Sequence, residues 1–308
     1  MMDRKGGFAS AVVGASGFGC VHVRELIKAG ATSLRVVGRN AESTAATARK
    51  LATLHGTTSI VASTLEELVA EPADFVSICS PTEMHADHAA ALLPAGSYIF
   101  VEKPFIWQSL ATADDILTRS QRLLDLANGR LTVNQPTARL MEAILAAGLA
   151  KSRPRSFSMR YQTRGNYVGT DIAVDLLPHA LSAILVLLGE AGAGLSIQDL
   201  SVVGGDNSWR AEFSLGALAV SLDFLQDPGA PGSELSFKID GRPVRRGQRE
   251  IQGGFEVFLE SSGEIHVIEN PISVSIARAV DVCRAGGLYQ DAVAIHSVVR
   301  LMCRILKS

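Results

Sequence analysis

The chain has 308 residues, with 29 Lys and Arg against 31 Asp and Glu and a formal net charge of −2. That balance gives no electrostatic footprint for nucleic acid or for an anionic membrane, and neither is expected as a partner. The length suits one large domain or two ordinary ones, and the longest apolar runs, such as 183–188, are too short to span a bilayer. Residues 1–7 carry charge and glycine instead of an apolar signal core. Cys20, Cys79, Cys283 and Cys303 lie far apart with no C-x-x-C pair, so reduced, packed thiols in a cytoplasmic protein are expected. No cluster has metal-ligand spacing.

In chain order, residues 8–13 read as a strand, 18–29 as a helix, 34–38 as a strand and 41–55 as a helix. A short strand at 59–62 precedes a helix holding Leu65 and Leu68, with Ser63 or Thr64 as its cap. Strands at 74–79, 97–101 and 130–133 alternate with helices at 83–93 and 109–127. Such alternation predicts a parallel sheet covered on both faces. The pattern changes near Asn134-Gln135-Pro136. Helices at 137–147 and 171–188 flank a strand at 155–162; short strands follow at 200–203, 210–215, 217–225, 234–239, 254–259 and 264–268. Helices at 271–285 and 291–306 close the chain. The expected fold class is therefore α/β, a parallel-sheet domain over 1–134 followed by an α+β domain over 135–308 with an open, mostly antiparallel sheet.

The stretch Ala11-Val12-Val13-Gly14-Ala15-Ser16-Gly17-Phe18-Gly19 turns a strand through glycines into a helix. Backbone N–H groups at a helix start suit a phosphate. It approximates the Rossmann fingerprint G-x-G-x-x-G, with Ser16 at the second glycine and an extra one at Gly17. About 20 residues on, where an acidic residue would bind the ribose hydroxyls of NAD, the chain has Gly38-Arg39-Asn40. Arg39 can pair with a 2′-phosphate, so NADP is favoured over NAD. A solvated arginine at the sheet edge is the other reading.

The ends of the fourth and fifth strands carry Ser80-Pro81-Thr82-Glu83-Met84-His85 and Glu102-Lys103-Pro104, on the side where open parallel sheets bind ligands. Lys103 can meet a reacting oxygen with Glu102 tuning or orienting it; alone, the pair also fits an ordinary strand end. Asp175 and His179 are four apart and share a helix face, a carboxylate placed to fix an imidazole tautomer for proton transfer. Pro178 requires that helix to begin near Asp175 or to distort. A helix-start Asp beside a packing His fits the same residues. His22, His55, His88, His266 and His296 read as structural.

Glycine turn, Cys-Ser-Pro-Thr-x-x-His, Glu-Lys-Pro and Asp-x-x-x-His, in this order, resemble the Gfo/Idh/MocA oxidoreductases, the family of glucose-fructose oxidoreductase and inositol dehydrogenase. The resemblance covers nearly the whole chain, more loosely after Gln135. It implies an N-terminal Rossmann domain, a nicotinamide cofactor at an interdomain cleft, and a C-terminal sheet that mediates homodimerisation or higher homo-oligomerisation. It also implies hydride transfer at a carbinol or carbonyl carbon of a sugar, polyol or related small molecule. Lys103 and His179 match the family's proton-handling positions, and Asp175 its acidic substrate-binding partner. Gly14, Ser16, Gly17, Phe18, Gly19, Arg39, Asn40, Ser80, Thr82, His85 and Glu102 match its cofactor side. Ser182 stands where many relatives have an Asp. Arg153, Arg155, Arg160 and Arg164 would make the substrate side basic and favour an acidic or phosphorylated ligand; a solvated basic strand fits as well.

Two other functions suit the same residues: an imine or enone reductase, and a dinucleotide-sensing regulatory protein without turnover. Retention of Lys103, Asp175 and His179 together favours the enzyme, because a sensor needs no proton relay. Stretches such as 217–222 and 255–259, apolar at alternate positions, lead to the expectation of an uncovered apolar sheet face that joins two copies.

Overall fold

The computed structural model describes residues 7–57, 59–251 and 254–307. Two compact units emerge, one of residues 1–134 with 273–296, the other of 135–272 with 297–308.

The first unit holds β1 (Phe8–Val13), α1 (Gly19–Lys28), β2 (Ala31–Val37), α2 (Ala41–His55), β3 (Ile60–Ser63), α3 (Leu65–Ala70), β4 (Phe75–Ile78), α4 (Thr82–Leu92), β5 (Tyr98–Val101), α5 (Ala113–Ala127) and β6 (Leu131–Val133). The strands form one parallel sheet in the order β3-β2-β1-β4-β5-β6. β4 is buried along its whole length, as expected of a strand covered on both faces. Local chemistry sets the helix starts. The Thr64 and Thr112 side chains each accept from the third backbone N–H of the following helix, and Glu67 and Asp115 reach back in return. The Thr112 box starts α5 at Ala113, four residues later than the pattern suggested.

The sequence grouped residues 273–296 with the second domain, but they pack with the first. They include most of α8 (Pro271–Ala285) and the start of α9 (Ala292–Leu306). The Arg284 guanidinium lies 4.8 Å from the Phe8 ring centre, the Tyr98 hydroxyl donates to the Gly287 carbonyl, and the Tyr289 N–H donates to that of Gly129. These partners are more than 150 residues distant, beyond any local pattern.

The second unit contains α6 (Pro136–Ala146), β7 (Ser156–Thr163), α7 (Thr170–Leu188), β8 (Ile197–Gly204), β9 (Ser208–Leu215), β10 (Leu218–Gln226), β11 (Glu234–Ile239), β12 (Arg242–Ile251), β13 (Gly254–Ser261) and β14 (Glu264–Ile268). Its eight strands run in the order β14-β13-β12-β11-β7-β10-β9-β8, antiparallel except for the β7–β10 pair. The helix α7 packs on β7, β9 and β10. It is apolar nearly all round and, among the described residues, the one helix long and apolar enough to cross a membrane by composition; here it is a core helix. It begins at Thr170 and continues through Pro178, so the proline neither starts nor ends it.

The expected apolar outer face forms only towards the sheet edges, where Val203 of β8 and Ile265 and Val267 of β14 are exposed and Phe258 of β13 is half-buried beside Val267. Leu218, Val220, Leu222 and Phe224 point to the buried side, and Phe213, Phe157 and Phe237 are buried with them. The opposite face carries Ser158, Ser221 and Ser236, with Arg160, Lys238 and Arg245 bordering a shallow trough. Asp223 pairs there with Arg210 at 2.9 Å, and Glu260 with Arg245 at 2.6 Å. In β10 the apolar half of the alternation belongs to the core; in β13 Val257 and Leu259 are buried while Phe255 is exposed.

Candidate active site

In the first unit the ends of the central strands are level. The Cys79 N–H donates to Val13 O at 2.7 Å, Glu102 N–H to Ile78 O at 2.8 Å, and Asn134 N–H to Val101 O at 2.7 Å. Gly14, Ser80, Lys103 and Asn134 therefore line one edge of the sheet, successive strands about 4.8 Å apart. The strand order reverses at β1, and such a switch point opens a crevice at this edge.

Glycine is required in the turn for stated reasons. Gly14 has φ of 83°, and a Cβ there would lie 2.6 Å from the backbone of Cys79 and Ser80. At Gly19 a Cβ would lie 2.2 Å from Gly14 O, so this glycine lets α1 start against the strand. Ser16, Gly17 and Phe18 are exposed, and among the described residues no acceptor takes up their amides. The first turn of α1 has no acidic residue. Free amides at a helix start without a competing carboxylate fit the pyrophosphate of a dinucleotide. Arg39 is exposed just beyond β2. The Asn40 side chain caps α2, Oδ1 accepting from Ser43 N–H at 2.9 Å.

Thr82 opens α4, half-buried. The Ser80 hydroxyl and His88 Nδ1 lie 2.9 Å apart. His85 is buried, Nδ1 2.8 Å from Pro104 O and Nε2 2.7 Å from Ser80 O, so it braces the β4 end against the segment after β5. Burial holds its pKa below the ordinary histidine range, against the pull of both carbonyls and the nearby Glu102 and Glu83. Burial also pushes the Cys79 thiol well up, helped by Glu102, which makes it an inert packing group.

Glu102 is held by partners from two distant elements. Its Oε1 lies 2.7 Å from His22 Nε2 and accepts from Asn134 Nδ2 at 2.5 Å. The His22 Nδ1 lies 2.5 Å from Ser77 Oγ. Burial alone would raise the Glu102 carboxyl; His22, Asn134 and Lys103 together hold it below the ordinary carboxylate range. Lys103 is half-buried beside it. The sequence read His22 as merely structural and marked Asn134 only as a boundary. Nothing local signals either role, because Ser77 and Glu102 are 55 and 80 residues from His22.

In the second unit, α7 presents both Asp175 and His179. The buried His179 has Nδ1 2.8 Å from Thr137 Oγ1 on α6, and its ring meets the Tyr161 ring edge-on with centres 5.4 Å apart. Gln226 Nε2 donates to Asp175 Oδ2 at 3.3 Å. Ser182 donates to the His179 carbonyl at 3.1 Å, a local bond within α7. Thr137, Tyr161 and Gln226 were not anticipated; all come from distant elements.

The four arginines around β7 do not form one patch. Arg160 is on the outer face near Asp223, while Arg155 and Arg164 flank opposite ends of an eight-residue strand. A different arginine shares a cross-strand row with Tyr161: Leu259, Arg246, Leu235, Tyr161, Phe224 and Trp209 face each other in register. Burial lowers the Arg246 pKa, opposed by Tyr161, and its side chain donates to Gln248 at 2.9 Å. Among the described residues no group of His, Cys, Asp and Glu is arranged to hold a metal.

Comparison with known proteins matches residues 8–127 to the GFO_IDH_MocA family, described as an oxidoreductase family with an NAD-binding Rossmann fold. A 4-carboxy-2-hydroxymuconate-6-semialdehyde dehydrogenase from Sphingobium sp. is 34% identical over 112 residues, 36% of this chain and 34% of that protein. The match thus spans about a third of the curated relative. Among solved structures, UDP-N-acetylglucosamine 3-dehydrogenase GnnA from Acidithiobacillus ferrooxidans superposes with a TM-score of 0.72 at 18% identity, covering 97% of each chain. The 3-ketoreductase KijD10 from Actinomadura kijaniata, in complex with TDP-benzene and NADP, gives 0.69 at 14% identity over 98% of each chain. At these identities the likeness is one of fold.

Proposed function

With residues 8–127 belonging to the Gfo/Idh/MocA oxidoreductase family, we propose that the chain is an NADP(H)-preferring oxidoreductase acting at a carbinol or carbonyl carbon of a sugar, polyol or related small molecule. The observation that carries the reading is the edge shared by the glycine turn, with its unclaimed amides, and Lys103, beside a carboxylate held ionised. A bound nicotinamide supplies the hydride acceptor or donor. The chain's part is to bind the dinucleotide through the Gly14–Gly19 turn, to favour a 2′-phosphate through Arg39, and to handle the substrate hydroxyl proton. Ser80 and Thr82, at the end of β4, are assigned to the same cofactor side, while His85 and Glu102 hold that side in shape.

Lys103 in the first unit and His179 in the second are assigned the proton, and Asp175 the orientation of the imidazole or of a second substrate hydroxyl. The named activities of the similar proteins, on nucleotide sugars and on a carboxylated semialdehyde, agree with a carbinol or carbonyl substrate. Arg246 gives the Tyr161 row an affinity for an acidic or phosphorylated group, so such compounds belong in the substrate panel.

The test is turnover by the full chain with NADP(H) and NAD(H) against sugars, nucleotide sugars, polyols and hydroxy or keto acids. Positioned acid–base groups contribute about 10²–10⁴-fold, so Lys103→Met and His179→Ala should each lower kcat by about that factor with little change in cofactor affinity. Full kcat in both variants would remove them from the chemistry, whereas dinucleotide binding without turnover of any of these compounds would bring the dinucleotide-sensing reading forward.

A further inference from the structure

We propose that His22 is a positioning residue for the Lys103 amine: it holds the Glu102 carboxylate ionised, and Glu102 in turn keeps Lys103 in its ammonium form. The Glu102 carboxylate fixes one proton position on the ring. Carboxylate Oε1 only accepts, so His22 Nε2, 2.7 Å away, carries the hydrogen and donates. Nδ1 lies 2.5 Å from the Ser77 hydroxyl, which can donate to a neutral ring or accept from an imidazolium. The imidazole is fully buried and clamped in one orientation by α1, β4 and the segment after β5.

Asn134 points the same way. Its Nδ2 donates to the same Oε1 while its buried Oδ1 has no partner among the described residues. Leaving a buried carbonyl unpaired is costly, and a full negative charge drawing the NH₂ end offsets it. Two N–H groups from elements 80 and 32 residues distant thus converge on one carboxylate oxygen. An ordinary solvated Lys–Glu pair at a strand end needs no such arrangement.

The other titratable groups facing Glu102 are Cys79 from the end of β4, His85 from α4 and Lys103 from its own segment. The Cys79 thiol is held far above neutral and His85 below its usual range, so neither carries charge at pH 7.5. Lys103 is therefore the group that senses whether Glu102 is ionised. Without the imidazole, burial dominates and the Glu102 carboxyl rises, so Lys103 loses its neighbouring anion. Its amine then deprotonates at lower pH.

The inference rests on the proposed function only in giving Lys103 a proton to handle, and its test needs no turnover. The full chain is acylated with acetic anhydride across a pH series, and modification of Lys103 is quantified by peptide mass spectrometry. His22→Leu should move the Lys103 inflection down by about one pH unit or more, the scale of a close charge. His22→Gln, whose amide can still donate, should restore most of it. Glu102→Gln should reproduce the shift, and the double variant should add nothing to it. If His22→Leu does not fold, a normal Lys103 inflection in Glu102→Gln overturns the proposal by itself. An unmoved inflection in a folded His22→Leu, or a double variant that shifts further than Glu102→Gln, overturns it as well. Lys103→Met turnover is scored separately, so a failure of the proton-handling reading leaves this result legible.

Discussion

Adding one methyl group at Gly14 or at Gly17 perturbs the same turn in two different ways. Both glycines have positive φ, 83° and 56°, which costs an L-residue about 1–2 kcal/mol. Part of that is offset because alanine restricts the unfolded chain by about 0.4–1 kcal/mol. At Gly17 no atom lies within 4 Å of the new Cβ, so Gly17→Ala should cost only about 1 kcal/mol. At Gly14 the Cβ would meet the Cys79 and Ser80 backbone at 2.6 Å, where no side chain can move aside. Overpacking of that kind adds about 1–3 kcal/mol, giving about 2–4 kcal/mol for Gly14→Ala. Urea unfolding in a Trp209→Phe background reads the first unit alone through the buried Trp107. Equal losses, or a greater loss at Gly17, would refute the close approach of β1 to the β4 end.

Three further outcomes are expected. The folded-state pKa of His85 is depressed, so its contribution to stability is present above the unfolded value of about 6.5 and lost as pH falls through the folded value. Wild type should therefore be less stable at pH 5 than at pH 7.5, and His85→Gln should flatten that slope; an unchanged slope would count against the buried neutral imidazole. Asn40→Ala removes the cap of α2 and should cost about 1 kcal/mol by urea unfolding, with a loss near zero contradicting the capping geometry. A homodimer closed over the outer face of the second sheet is expected. Since the middle of that face is polar and charged, light scattering at micromolar concentration should show twice the chain mass at low salt and partial dissociation at high salt; a monomer at low salt refutes it.

What was legible in the sequence was what is local. The buried strands of the first sheet announce themselves as β-branched runs, and the glycine turn by spacing. β12 escaped because a stretch reading Arg242-Pro243-Val244-Arg245-Arg246-Gly247-Gln248 has one fully buried side chain, Val244, and no apolar alternation. Its pairing is settled by neighbours: Arg245 against Glu260 and Arg249 against Glu256, charges that look like a solvated loop until the partner strand is known. The alternation in β10 was read correctly as a strand, but which face is covered depends on α7, and strand period alone cannot say. Lys103, Asp175 and His179 stood out by motif, whereas their supports, His22, Asn134, Thr137 and Tyr161, became visible only once distant elements were brought together.

We propose a pyridine-nucleotide oxidoreductase whose Arg39 selects the 2′-phosphate. Fluorescence titration of NADPH and NADH against wild type and Arg39→Ala decides it. A charge-assisted Arg–phosphate pair contributes about 1.5–3 kcal/mol, so NADPH should bind at least about tenfold more tightly than NADH, and Arg39→Ala should remove that margin while leaving NADH unchanged. Tighter binding of NADH by wild type, or an equal loss for both nucleotides in Arg39→Ala, would contradict it.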